Sequence, residues 1–488
     1  MESMNIEPNW LIEATIDEVQ EKLESEEITS KQLVMMYLHR IAKLDKQGPN
    51  INSILEVNPD ALSIAAALDY ERKTKGARGP LHGIPVVIKD NIDTGDNMHT
   101  SAGSLVLANS YAKEDAFLVK KLREAGAVIL GKANLTEWAN FIGENMPSGY
   151  SSRGGQVKNP YGDAFDIGGS SSGSAAAVAT NLAVVAVGTE TSGSILSPAS
   201  QASLVGIKPT VGLISRNGII PISHTQDTAG PMARTVRDAA ILLNVLQGQD
   251  TEDAITGTNP LESIDFTNCL KREGLKGKRI GIARTPYYDY LSQSKLAVME
   301  NAIAELKQLG AEVIDPVEIP STKEQWDMNV LIYEFKNDLN AYLKTVDSSL
   351  GIRTLADVIR KNEELGETAL KYGQKLFLEA EAASGNLTDP TYLESLVKDA
   401  YYSREMGIDA VLKNFQLDAV LFPNNYGAMM PAKAGYPSIT VPAGYTEEGE
   451  PVGITFTASA YSEPLLIELA YSYEQGTKHR IPPVFADN

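Results

Sequence analysis

Apolar positions recur at helical spacing near the start of the chain and in short runs further on. Across residues 15–46 the three-to-four-residue repeat predicts two helices. Ser30 stands as N-cap of the second, ahead of Gln32-Leu33-Val34-Met35-Met36-Tyr37-Leu38. The Ala-rich stretch 60–75 predicts a third, so 15–75 reads as an N-terminal helical region. Beyond it, apolar runs at 85–88, 128–130 and 184–187 alternate with helical patterns near 115–125, 135–141 and 174–182. Such alternation predicts an α/β/α layered fold, with helices covering one large mixed, mostly parallel twisted sheet.

The pattern then continues with a helix at 235–246 and a polar, turn-rich connection at 248–277. Strands are expected at 279–283 and 312–314 with a helix, 295–309, between them. Residues 324–414 are helical with few strand signals, which predicts an inserted helical cap. Strand signals return at 419–422, 439–441 and 454–457, before a closing helix at 465–474. Strands on both sides of the insertion are expected in one sheet, so residues 1–488 are read as a single domain.

Composition narrows the function classes. With 43% hydrophobic and 22% charged residues the chain is ordinary globular material. A net charge of −20 and no cluster of Lys and Arg argue against nucleic acid as an unassisted partner. The single cysteine, Cys269, can form no internal disulfide and has no thiol neighbour for a metal. The five histidines are scattered without ligand spacing, so no metal and no cofactor are expected. The acidic first 20 residues lack the basic start of a signal peptide, and no apolar run reaches the ~18 residues of a membrane span. A cytoplasmic location is the expectation.

Candidate chemistry gathers in three segments. Gly83-Ile84-Pro85-Val86-Val87-Ile88-Lys89 ends an apolar run in a lysine, and desolvation there disfavours the ammonium. Gly168-Gly169-Ser170-Ser171-Ser172-Gly173-Ser174 and Gly188-Thr189-Glu190-Thr191-Ser192-Gly193-Ser194 supply nucleophiles and close-approach glycines. Ser194 follows Gly193 just after a strand, which fits a nucleophile on a tight turn. The N–H groups of Thr191, Ser192, Gly193 and Ser194 can converge there as an oxyanion hole. Ser170 can pass a proton from Ser194 to Lys89, because a hydroxyl both donates and accepts. Asp90 adjoins Lys89, but on a strand it points to the other face. These are the parts of an acyl-transfer site that needs no histidine.

These blocks resemble the amidase signature family. Gly169-Ser170-Ser171-Ser172-Gly173-Ser174 with Ser194 placed 24 residues after Ser170 carries the likeness. So do the run from Val205 to Ser215, the run from Gln226 to Val236, and Gly435-Tyr436-Pro437-Ser438-Ile439-Thr440-Val441-Pro442. The resemblance spans about 15–475 and is weakest between 285 and 415. It implies a Ser-Ser-Lys triad of Lys89, Ser170 and Ser194, with a cis peptide bond before Ser170. It also implies hydrolysis of carboxamides through an acyl-serine.

Within the family the likeness is to bacterial peptide amidases, which release ammonia from C-terminal amides of peptides. Gly188-Thr189-Glu190-Thr191, the run from Ile222 to Pro231 and Tyr471-Ser472-Tyr473-Glu474-Gln475 carry it. An aryl or aliphatic acylamidase is the alternative, and the A-type component of a glutamyl-tRNA amidotransferase is a weaker match. Ser192 stands where relatives usually carry Asp or Gly. The resemblance further implies that Trp138, Ala139, Asn140 and Phe141 line the acyl channel, with Trp138, Ala139, Asn140 and the Ser192 hydroxyl facing substrate. For Trp138 a place in the core is an equal reading.

Two lookalikes fail. Gly169-Ser170-Ser171-Ser172-Gly173 fits G-x-S-x-G, but that reading makes Ser171 a nucleophile needing a later Asp and His, and only His224 and His479 follow. The segment from Gly126 to Ala133 mimics a phosphate-binding loop, yet its interior is strand-forming and Ala133 replaces the metal-binding hydroxyl.

Overall fold

The computed structural model describes residues 6–261 and 263–485. Thirteen strands form among them: β1 Ile54–Val57, β2 Pro85–Lys89, β3 Val128–Ala133, β4 Tyr150–Ser151, β5 Gly155–Gln156, β6 Val185–Glu190, β7 Val205–Lys208, β8 Thr228–Ala233, β9 Arg279–Ile282, β10 Glu312–Ile314, β11 Ala419–Pro423, β12 Ser438–Tyr445 and β13 Pro451–Thr457. The pair β4–β5 stands alone, and the other eleven share one sheet in the order β1-β3-β2-β6-β8-β7-β12-β13-β11-β9-β10. The strands on either side of the helical segment therefore meet in one sheet.

The sheet is mixed. Parallel pairing occupies two flanks, β3–β2–β6 and β11–β9–β10. From β6 through β8, β7, β12 and β13 to β11 every pair is antiparallel, as is the edge pair β1–β3. The antiparallel share is larger than the alternating pattern suggests, because β7 and β8 enter from segments whose Gly and Pro content hides the strand signal. Strands β2, β3 and β6 are buried along their whole length, as strands covered on both faces must be.

The helix Ser172–Ala179 has every residue buried. Its small side chains let it lie deep against the sheet. A Cβ on Gly173 would stand 2.3 Å from the Asn134 carbonyl oxygen, so only glycine fits at that crossing.

Three local expectations need correction. The second helix, Ser30–Arg40, is capped by Thr29 rather than Ser30. Thr29 Oγ1 accepts the Gln32 N–H at 3.1 Å while Gln32 Oε1 accepts the Thr29 N–H at 2.8 Å, a reciprocal box. Region 15–75 is not wholly helical, since β1 lies inside it and forms a sheet edge. The helix expected at 135–141 is one left-handed turn, with Trp138, Ala139 and Asn140 at φ of 51°, 53° and 70°.

Residues 324–414 hold the helices Asn329–Leu343, Leu355–Leu365, Lys375–Ala382 and Pro390–Ser403, with Asp409–Phe415 closing the segment. The apolar faces of the first three form a second core in which Phe335, Leu339 and Phe377 meet Trp138, Ile220 and Ile222, while Val411 of the last packs in a separate cluster. No helix among the described residues is long and apolar enough to cross a membrane.

Candidate active site

Strand β2 delivers Lys89 to the centre of the parallel flank, fully buried. Its Nζ lies 2.8 Å from Ser170 Oγ, 2.9 Å from Thr189 Oγ1 and 3.1 Å from the Thr189 carbonyl oxygen. No carboxylate forms an ion pair with it among the described residues. Burial lowers its pKa to about 7, offset in part by the more distant Glu190 and Asp227. A neutral amine has two N–H donors and one lone pair. With the two Thr189 oxygens taking the donors, the lone pair is left for the Ser170 hydroxyl.

Asp90 turns to the opposite face, as strand geometry requires. There it accepts the Ser101 hydroxyl and, at 2.9 Å, the Gly103 N–H.

Ser170 follows a cis peptide bond to Gly169. The neighbouring serines serve the framework. Ser171 Oγ donates to the Thr189 carbonyl and accepts the Thr189 N–H, and Ser172 Oγ donates to the Gly168 carbonyl at 2.6 Å. Ser171 is therefore tied to β6 by its own hydroxyl.

Ser194 sits past β6 on a turn opened by Gly193 at φ 81°. The two serine segments are joined by the Ser171 N–H donating to the Ser194 carbonyl at 3.1 Å. Among the described residues the Ser194 hydroxyl has no hydrogen-bond partner, Ser170 included. The expected group of four N–H donors needs one correction. The Gly193 N–H donates to Glu190 Oε1 at 2.7 Å, so it is already engaged and drops out of that group.

Glu190 also accepts the N–H groups of Ile195 at 2.7 Å and Leu196 at 3.0 Å. Burial pushes its carboxyl up, and these three donors work against that rise. Sequence reasoning missed this role; an acidic residue inside a glycine-serine turn was the available signal.

A cavity of about 340 Å³ opens beside Thr189 and Thr191, walled by Ile219, Ile220, Ile222 and Ala139. The wall is fastened to the site. The Ile220 N–H donates to the Asn91 carbonyl at 2.8 Å, and the Asn91 side chain donates to Thr189 Oγ1 at 3.0 Å. Asp227 accepts the Thr191 hydroxyl at 2.5 Å and the Ile222 and Ser223 N–H groups at 2.7 and 2.9 Å. Desolvation raises its carboxyl to about 6.

The other predicted residues separate. Ala139 lines the cavity, whereas Trp138 is buried and packs edge-on against Phe377, with ring centroids 5.5 Å apart. Trp138 is thus a core residue. Asn140 and Ser192 are exposed and stand outside the cavity lining. Asn425, unmarked in the sequence, brings its amide within 3.2 Å of where a Gly193 Cβ would lie.

One cluster joins residues far apart in sequence: His224, Glu334 and Asp338. One ligand atom from each lies within 4.8 Å of the others, and each ring nitrogen faces a different carboxylate, an arrangement that makes an ion-pair clamp. Lys132, from the phosphate-loop lookalike, is buried on β3 and donates to the Ile92 carbonyl at 2.7 Å and Thr100 Oγ1 at 2.9 Å.

A mixed sheet with a buried lysine between two serine turns defines a class of amide-bond hydrolases, and the comparisons agree. The amidase family model matches residues 32–467. A probable amidase of Arabidopsis thaliana is 44% identical over 486 residues, covering 97% of this chain and 92% of the relative. The peptide amidase of Stenotrophomonas maltophilia superposes with a TM-score of 0.92 at 46% identity, covering 98% of this chain and all of that one. An amidase family protein of Bacillus anthracis superposes with a TM-score of 0.92 at 41% identity, covering 97% of this chain and 93% of that one. The chain belongs to the amidase family, the amidase-signature hydrolases.

Proposed function

We propose that this hydrolase removes the C-terminal amide of peptides, with Ser194 as nucleophile, Ser170 as relay and Lys89 as base. The observation that carries the reading is the contact of Lys89 Nζ with Ser170 Oγ at 2.8 Å, in a buried setting without a paired carboxylate. A lysine with a pKa of about 7 is partly neutral at neutral pH and can accept a proton.

In this scheme Ser194 Oγ bonds to the amide carbonyl carbon. Its proton passes to Ser170, whose own proton passes to Lys89. The carbonyl oxygen becomes an oxyanion that faces the N–H groups of Thr191, Ser192 and Ser194. Collapse breaks the carbon–nitrogen bond, and the relay returns a proton to the nitrogen, which leaves as ammonia. Water then attacks the acyl-serine by the same relay, giving the peptide acid and free Ser194.

The likeness to a peptide amidase supports the substrate class, as does a cavity whose apolar wall of Ile219, Ile220 and Ile222 suits a peptide side chain. The test is ammonia release from a panel of peptide amides, fatty amides and glutamine, with arylamine release scored for anilides. Peptide amides should lead by kcat/KM. Anilides leading would establish an acylamidase, and glutamine leading would establish an amidotransferase-type activity.

A further inference from the structure

The Ile219–Asp227 segment walls the cavity beside Thr189 and Thr191 and is gripped from outside by a single helix. Glu334 and Asp338 lie four residues apart on Asn329–Leu343, hence on one face. Buried Glu334 accepts the Ser223 hydroxyl, the Thr225 N–H at 3.2 Å and the Thr225 hydroxyl at 3.0 Å. The Tyr392 hydroxyl donates to its other oxygen at 2.8 Å. Asp338 accepts the His224 backbone N–H at 2.8 Å. The His224 ring spans the pair, with Nδ1 2.9 Å from Asp338 and Nε2 3.3 Å from Glu334.

We infer that Glu334 and Asp338 are positioning residues of the acyl pocket, acting through a protonated His224 to hold the wall that selects the substrate. The inference rests on the hydrolysis reading for its substrate and on the geometry for its clamp. An imidazole can donate from both nitrogens only as the cation. The cation also relieves repulsion between two carboxylates on adjacent helix turns.

Arg216 is the other charge facing His224, donating to its carbonyl while paired to Asp253, and it opposes protonation. Asp227, three residues on, completes the charged set on the segment itself. The Asp338 hydrogen bond dominates and raises the histidine's pKa. Because the folded pKa lies above the ordinary value, the clamp keeps its charge to higher pH than a free imidazole would and is lost as pH rises through that pKa.

Loosening the wall reaches the reacting centre by a short route. Asp227 holds Ile222 and Ser223 on one oxygen and Thr191 on the other, and Thr191 lies three residues from Ser194. Segment and site therefore move together. The main effect falls on substrate fit, since Lys89 is carried by β2 and Ser171, next to Ser170, is tied to β6 instead.

The test uses the full chain as wild type, Asp338→Asn, Glu334→Gln and His224→Gln. Histidine ring titration by NMR, with His224 assigned by its loss in His224→Gln, should show His224 titrating above the ordinary imidazole value. Asp338→Asn should lower that midpoint by about one pH unit. On a dipeptide amide, Asp338→Asn should raise KM about tenfold with a much smaller change in kcat. The alkaline rise of KM in wild type should flatten in His224→Gln.

Amide exchange at Ile222 and Ser223 should quicken in Asp338→Asn and Glu334→Gln. An ordinary His224 midpoint in wild type overturns the clamp, as does unchanged exchange in both variants. Titration and exchange repeated in Ser194→Ala keep the clamp measurable without turnover. A wild type that hydrolyses no peptide amide defeats the substrate reading alone, and the clamp is then decided by those two measurements.

Discussion

The side chain of Glu190 accepts the Gly193 N–H at 2.7 Å, one residue before Ser194, and the same carboxylate takes the next two donors beyond the serine. One buried acid thus shapes the turn on both sides of the proposed nucleophile. Glu190→Ala leaves three buried N–H groups unpaired, and each such loss costs about 1–3 kcal/mol. Urea unfolding should show a loss of roughly 3 kcal/mol or more, with a smaller loss in Glu190→Gln. Equal midpoints for wild type and Glu190→Ala would refute the role.

Ser194→Ala should abolish acyl-enzyme formation, read by mass spectrometry of enzyme quenched during turnover. Ser170→Ala and Lys89→Ala should each lower kcat by about three orders of magnitude or more, and the double variant should be little worse than either. Near-normal turnover by Lys89→Ala at neutral pH would exclude it as the base.

The acid limb of kcat/KM should fall through an apparent pKa near 7, the value to which burial lowers Lys89. The sign follows from the role. Above that pKa the amine is neutral and accepts a proton; below it the ammonium accumulates and activity drops tenfold per pH unit, in the manner of about one group. Asp227, raised to about 6, adds a second protonation lower on the same limb. A profile flat down to acid unfolding would count against the lysine.

Trp138→Ala should cost stability, not recognition. Its buried ring packs against Phe377, and large-to-Ala changes at such sites typically cost about 3–5 kcal/mol. Asn140→Ala and Ser192→Gly touch exposed residues and should leave the unfolding midpoint near wild type. Assayed on a dipeptide amide and on a fatty amide, they test substrate contact directly. A selective loss on the peptide of about 1–3 kcal/mol in transition-state binding assigns them to recognition, and equal or absent effects remove them.

Lys89 was legible only in context, because a lysine closing a strand usually lies at the surface and it was the two glycine-spaced serine turns that marked this one for burial. What escaped was of three kinds. The left-handed turn at Trp138, Ala139 and Asn140 follows an apolar pattern that a helix would also satisfy, since hydrophobic periodicity carries no sign of φ. The grip of Glu334 on Ser223 and Thr225 joins positions more than a hundred residues apart, through polar side chains that look like ordinary surface until the helix is docked. Strands β7 and β8 were hidden for a third reason, because the glycine in each and Pro231 in β8 argue against a central strand, although both strands pair on each side.

The helical segment leaves the sheet after β10 and returns at β11, two positions away in strand order, a lateral step of about 10 Å at ordinary strand spacing. The two attachment points are thus near neighbours, and the intervening chain spans them without strain at almost any length. Its helices nonetheless supply Asp338 and Ala341 to the cavity lining, while Lys89 and Ser194 are carried by strands on the far side of the sheet centre. The cavity thus takes Asp338 and Ala341 from this segment, while Thr189, Thr191 and the Ile219–Ile222 wall come from the body of the fold. A foreign helical segment grafted between Ile314 and Ala419 is therefore expected to alter only the part of the cavity wall that Asp338 and Ala341 supply, leaving β2 and β6 in place.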